Sequence, residues 1–210
     1  LGERELKLLF KRTEGWITAL HLAALALSRN TDREGFLRGL SGTERNIADY
    51  LAEDVLASLP ADLQLFLDQT SVLDEFNAEL CNALTGRRDG LDMLMRLQNE
   101  QLFVIALDDQ REWFRYHHLF AEFLQGRLSR HADPTPLLHA AARWCEGRDL
   151  ADRAIKYALR ARDYLFAAEL LERQGARLIA GNRVYGILGM FNGIPAEVIR
   201  EHPVFQIFYA

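Results

Sequence analysis

LFVIALDDQREWFRYHH, running from Leu102 to His118, is the stretch that decides the fold. Leu102 to Leu107 is an unbroken apolar run with two β-branched members, and Glu112 to Tyr116 is dominated by Trp113, Phe114 and Tyr116. Both runs read as strands, and Asp108, Asp109 and Gln110 between them supply turn chemistry, so a two-stranded hairpin is predicted. From His117 to Leu128 the period changes, with Phe120, Phe123, Leu124 and Leu128 recurring at helical spacing.

Working outward towards the N-terminus, helical patterns cover 61–70 (Leu63, Phe66, Leu67), 77–85 (Leu80, Cys81, Leu84) and 89–99 (Leu91, Leu94, Met95). Three helices, a hairpin and a further helix follow the element order of a winged helix, assigned here to residues 43–131. Its leading helix is expected from Thr43, as N-cap, to Leu59, with Ile47, Tyr50, Leu51 and Val55 on one side and Pro60 as the stop. Residues 1–42 read as the helical end of a preceding module. Two helices between 3 and 28 break at Glu14-Gly15, one with Leu6, Leu9 and Phe10 as its apolar face and the next with Trp16, Ala19, Leu20, Ala23, Ala24 and Leu27.

Beyond the Asp133-Pro134-Thr135-Pro136 linker, helices are expected at 136–147, 150–161, 163–180 and 183–191, joined as antiparallel hairpins. Ala154-Ile155 and Ala167-Ala168 follow Asp149 and Asp163 at similar offsets, and residues 132–210 are read as the start of a tetratricopeptide-like array. The fold class is therefore mainly α: a helical segment, a winged helix with a two-stranded wing, then helical hairpins.

Composition fits a globular protein, with 49% hydrophobic and 26% charged residues and a net charge of −5 over 210 residues. Cys81 and Cys145 lie on apolar helical patterns and are expected to be reduced packing residues of a cytoplasmic protein. The longest apolar run, Ile17 to Leu27, is too short to span a bilayer, and no signal peptide is visible. A start at Leu1 without Met, and an end within the apolar segment from Pro203 to Ala210, are read as those of a piece of a larger protein.

Several chemistries are excluded at the level of motif. No Gly-Lys pair exists to form a P-loop, and H-E-x-x-H, paired C-x-x-C and G-x-S-x-G are absent, so no enzyme activity and no bound cofactor or metal are expected of this chain itself. His118 and Glu122, four residues apart on one helix, are the only nearby pair with metal-ligand spacing, and no third ligand accompanies them. Charge bears on the DNA-binding reading that a winged helix invites. Residues 43–131 hold 8 Lys/Arg against 16 Asp/Glu, a net of −8. Phosphate neutralisation supplies most duplex affinity, so direct contact with nucleic acid is not expected. The aromatic residues Trp113, Phe114, Tyr116, Phe120 and Phe123 are spaced as shared core rather than as a base-stacking platform.

His117 and His118 sit where the second strand passes into a helix, whose free N–H groups favour an anion. An imidazole there either donates to a phosphate or caps and packs; the residues alone leave both open. At this point the sequence resembles the STAND-type ATPase regulators of the MalT family, many of which end in a LuxR-type helix-turn-helix. The resemblance runs in order through Arg12 to Leu25, Ile47 to Leu56, Phe66 to Leu73, Cys81 to Gly86 and Phe114 to Leu124.

That resemblance implies a larger protein in which an upstream P-loop domain binds ATP or ADP, a winged helix closes over the nucleotide, and helical repeats sense a small-molecule or protein inducer. It also implies nucleotide-sensing positions. The family's Met-His-Asp motif, whose histidine meets the β-phosphate of ADP, corresponds to Tyr116-His117-His118, and its Gly-x-Pro near adenine corresponds to Gly15-Trp16-Ile17. The acidic third position and the proline are both replaced. The function expected is a regulatory relay coupling nucleotide state and inducer to DNA binding elsewhere; the alternative is a protein-interaction scaffold with an inert winged helix.

Overall fold

A computed structural model of the chain describes residues 2–17, 19–20, 23, 35, 40, 45–51, 55–99, 103–180, 194–195 and 198. The chain divides into two compact units, Leu1–Cys81 with Arg88–Ala132, and Asn82–Arg87 with Asp133–Ala210. Among the described residues there are nine α-helices and a two-stranded antiparallel sheet. None of those helices is long and apolar enough to cross a membrane.

In the first unit, helix α1 (Glu3–Thr13) buries Leu9 and Thr13, which lie four residues apart on one face. Leu6 and Phe10 occupy the adjoining face and are exposed, so only Leu9 of the expected apolar stripe faces the core. The helix stops at the expected break: Glu14 (φ 47°) and Gly15 (φ 78°) are both left-handed. Of the helix expected over 43–59, α2 covers Arg45–Tyr50, and the segment closes in a 3-10 turn at Leu56–Ser58. Pro60 forces Leu59 into extended backbone (φ −85°, ψ 148°), which ends helical structure there. The expected Thr43 cap lies outside the described residues.

The winged helix follows in the expected order: α3 (Ala61–Thr70), α4 (Ala78–Thr85), α5 (Gly90–Asn99), β1 (Val104–Ala106), β2 (Phe114–Tyr116) and α6 (His118–His131). Val104 pairs with Tyr116, Ile105 with Arg115 and Ala106 with Phe114. The strands are three residues each, shorter than the sequence runs, because Asp108 diverts the ladder. Its carboxylate accepts the N–H groups of Glu112 (2.9 Å) and Trp113 (2.8 Å), pinning the loop that would otherwise extend the hairpin. Those backbone donors hold the Asp108 carboxyl below its usual pKa.

Phe76 adds a third stretch of extended backbone to the wing, exchanging two hydrogen bonds of 2.8 Å with Phe114. Its ring lies 4.6 Å from that of Tyr116, which in turn meets Phe120 edge-on. The Tyr116 hydroxyl is satisfied by Thr70 Oγ1 at 2.6 Å; since Thr70 donates to the Phe66 carbonyl at 2.7 Å, Tyr116 is the donor of the pair. Strands, α3 and α6 are thus locked around one aromatic core, and the aromatic run is packing rather than an exposed platform.

In the second unit, α7 (Thr135–Gly147), α8 (Ala151–Arg160) and α9 (Tyr164–Ala180) form successive helical hairpins. The expected helix 183–191 lies outside the described residues. Small and apolar side chains are buried along these helices, among them Ala141, Ala142 and Cys145 on α7, Ala154, Ile155 and Ala158 on α8, and Ala167 and Ala168 on α9. Both turns are Schellman caps. Leu150 N–H reaches Cys145 O (2.9 Å) and Asp149 N–H reaches Glu146 O (3.1 Å); Asp163 N–H reaches Ala158 O and Arg162 N–H reaches Leu159 O, both at 3.0 Å. Asp163 also caps α9 by accepting Phe166 N–H at 3.1 Å, and it pairs with His139 at 3.2 Å.

The left-handed cap positions are filled by Asp149 (φ 59°) and Arg162 (φ 58°) rather than glycine. The Arg162 side chain is exposed, so Arg162→Gly removes the Cβ conflict without removing packing. A gain of about 0.5–1 kcal/mol is expected, read as a higher urea midpoint with an unchanged slope.

Candidate functional site

Two segments a hundred residues apart in sequence meet within the first unit. One is the break after α1, Thr13 to Trp16; the other is the junction of β2 and α6, Arg115 to His118. His117 is the N-cap of α6 and its backbone N–H bonds to Phe103 O at 2.7 Å, which fixes the residue at the mouth of the hairpin. It is 5% exposed.

Both ring nitrogens are engaged. Nδ1 accepts the Leu119 N–H at 3.3 Å, and Nε2 lies 2.9 Å from the Thr13 carbonyl oxygen. A backbone N–H can only donate and a carbonyl can only accept, so the ring is the neutral tautomer with its proton on Nε2. Burial pushes the His117 pKa below its usual value, against the Thr13 carbonyl and the Glu14 charge, which favour protonation. The Thr13 carbonyl accepts a second bond from Trp16 N–H at 2.8 Å, so the helix break is itself part of the site.

Glu14 extends from the left-handed residue at the end of α1 into a group of donors. Arg115 Nη2 lies 3.1 Å from Oε2, His118 Nδ1 3.2 Å from Oε1, and His117 Nε2 3.8 Å from Oε2. Burial acts to raise the Glu14 pKa, but the hydrogen bond and charge of Arg115, with the two histidines, outweigh it and hold the carboxyl below its usual value. Trp16 walls the site, 5.6 Å edge-on from the His117 ring and 4.5 Å from Phe103.

Of the positions expected to sense nucleotide, His117, His118, Gly15 and Trp16 are brought together. Ile17 is not, since its side chain is 80% exposed. Of the two readings left open by the sequence, the cap is the one seen here: His117 Nδ1 caps the helix and Nε2–H is taken by the Thr13 carbonyl. His118 Nδ1 faces Glu14, a partner that helical spacing does not suggest. Sequence reasoning missed Thr13, Glu14 and Arg115. The signal was present in an acidic residue placed at a helix break and a basic residue inside the aromatic strand.

Glu14, His117 and His118 have ligand atoms within 4.8 Å of one another, which invites a metal. The tautomer argues against one. A divalent ion on Nε2 of a neutral imidazole would require the proton on Nδ1, where it would face the Leu119 N–H. Arg115 also holds the carboxylate an ion would need. The arrangement suits an acceptor with lone pairs: a carbonyl, a carboxylate or a phosphate oxygen.

The third helix of the fold, the usual groove reader in DNA-binding winged helices, is poorly equipped for duplex DNA. Its exposed positions include Leu91, Asp92 and Met95, and Arg96 is paired with Asp62 at 3.1 Å.

Residues 52–136 match the MalT winged helix domain family. The chain is 32% identical over 212 residues to the serine/threonine-protein kinase PknK of Mycobacterium tuberculosis (strain H37Rv), covering 100% of this chain and 19% of that protein. It is 33% identical to the HTH-type transcriptional regulator MalT of Vibrio campbellii over 202 residues, and 33% identical to that of Serratia proteamaculans over 201, covering in each case 94% of this chain and 22% of the relative. The chain thus spans about a fifth of the length of these relatives.

The engaged, neutral ring has a pH signature. The unfolded chain takes up a proton below about pH 6.5, whereas folded His117 resists it, so its contribution is complete above that pH and is lost as pH falls through the lower folded value. Between about pH 7.5 and about pH 5, the urea midpoint of the wild type is expected to fall further than that of His117→Asn. At about pH 7.5, His117→Ala is expected to cost about 1–2 kcal/mol through the lost cap. Equal pH dependence in wild type and His117→Asn would contradict the assignment.

Proposed function

Starting from a chain whose residues 52–136 match the MalT winged helix domain family, we propose that it is the regulatory relay of a larger nucleotide-switched protein, in the leading form a LuxR-type transcription activator. One observation supports this above the others: the fixed Nε2–H of His117, the right polarity for a phosphate oxygen, is joined to the turn after α1 through Thr13. The same donor serves either the Thr13 carbonyl, as in this structure, or a phosphate, so a change of acceptor at His117 becomes a change at the Thr13–Trp16 turn.

His117 and His118 are the residues that would meet the phosphates of ATP or ADP held by an upstream P-loop domain, with Gly15 and Trp16 beside them. Bound nucleotide supplies the charge whose presence the relay reports. The chain's own residues position a proton donor and transmit its state; with no P-loop among them, they are assigned no hydrolysis. A net of −8 over residues 43–131 and the pairing of Arg96 with Asp62 support placing DNA contact elsewhere in a longer protein. The helical hairpins after Asp133 are the proposed sensor of a small-molecule or protein inducer, and the whole acts in the cytoplasm.

A second reading concerns the effector. The match to a protein named as a serine/threonine-protein kinase covers the whole chain, so the same relay coupled to a kinase output is the form favoured by that relative. A nucleotide-independent scaffold is the remaining alternative. It separates from both by partner binding that ignores nucleotide.

In the longer protein, His117→Ala is expected to weaken ADP retention several-fold and to raise inducer-independent output. The checks are nucleotide content of the purified protein and basal reporter expression or basal phosphorylation. Unchanged ADP occupancy together with unchanged basal output would remove His117 from the mechanism.

A further inference from the structure

Among the described residues, Glu14 is the anion that a cluster of donors faces. Arg115, His118 and His117 approach its two oxygens at 3.1, 3.2 and 3.8 Å, from a segment a hundred residues away. Arg115 is oriented by a second bond, Nη1 to the Tyr116 carbonyl at 3.3 Å, and the His117 ring is oriented by the Leu119 N–H. The donors are therefore fixed by β2 and α6, whereas the carboxylate arrives on the residue that caps the C-terminus of α1. Glu14 adopts φ 47°, a conformation that disfavours a side chain, and Gly15 beside it at φ 78° can turn without a Cβ penalty. Arg115 and Glu14 are each 32% exposed, so the cluster is reached from solvent.

We propose that Arg115, His117 and His118 form a phosphate-oxyanion site in which the Glu14 carboxylate is a built-in competitor. This rests on the nucleotide-relay reading and adds two residues to it: Arg115 as a ligand of phosphate and Glu14 as the group that phosphate displaces. A carboxylate and a phosphate both present oxygens that accept from a guanidinium and from imidazole N–H groups. When phosphate enters, Glu14 leaves, and its departure unlocks the left-handed turn that it holds between α1 and Trp16. The occupant is identified by its oxyanion, whether free or part of a nucleotide.

The test is a calorimetric titration of the 210-residue chain with inorganic pyrophosphate, with ADP and with adenosine. Removing the competing charge in Glu14→Gln is expected to tighten pyrophosphate and ADP by about tenfold or more, with adenosine inert in every variant. Adding Arg115→Gln is expected to abolish that gain. Glu14→Asn, which tolerates the left-handed conformation, replaces Glu14→Gln if the latter loses its helical circular dichroism. Equal affinity in wild type and in the folded Glu14 variant overturns the proposal, as does a gain that survives Arg115→Gln. A null titration beside a clear His117→Ala effect in the longer protein would sink the competitor alone. Tightened pyrophosphate binding without any His117→Ala effect would sink the relay alone.

Discussion

The His117 ring has a donor on one side and an acceptor on the other, and most of what the first unit offers chemically depends on that. A buried imidazole flanked in this way has one tautomer and one protonation state, so its remaining N–H has a fixed direction. The hairpin sets the position through the Phe103 carbonyl, the first turn of α6 sets the rotation through Leu119, and the end of α1 supplies the acceptor. The geometry selects among ligands because each class asks for a different proton arrangement: a metal needs the opposite tautomer, and an oxyanion needs this one.

The surface of the winged helix is not that of a groove reader. In a groove-binding module the third helix displays cations and the wing reaches phosphate. In this one α5 exposes Leu91, Asp92 and Met95, and the wing places Asp108 and Asp109 at its tip. The parts of the fold that are precisely built are the opposite ones: the Thr70–Tyr116 hydroxyl pair, the Phe76–Phe114 exchange and the cap at His117, all of which fix the junction of β2 and α6.

Much of this was legible in the sequence, and the exceptions have physical reasons. Helical period and the β-branched and aromatic runs located α3 to α6 and the hairpin, because core-facing spacing is a local property. Strand length was overread since Asp108 competes for backbone donors, an effect that a turn-forming residue announces only in kind. The α1 stripe was overread because Leu6 and Phe10 share a helical spacing with each other but not the buried face of Leu9 and Thr13. Of the candidate site, the two histidines are marked by their place where the second strand passes into a helix, and Gly15-Trp16 by resemblance. Glu14, Arg115 and the Thr13 carbonyl escaped it, because a contact a hundred residues long and a backbone acceptor leave no periodic trace.

A single donor shared between two acceptors also makes a suitable switch on energetic grounds. A ligand moves an equilibrium only by its difference in affinity for the two states. If the resting state left His117 and Arg115 unpaired in a buried site, that state would be too unstable to populate; if it paired them with an immovable partner, no phosphate could compete. A carbonyl at a helix end and a carboxylate on a left-handed turn lie between those limits. They satisfy the donors in one state, and they sit at a helix end whose next two residues are left-handed. The proposed exchange is therefore between two states that each satisfy the donors, a balance that a difference in binding affinity shifts.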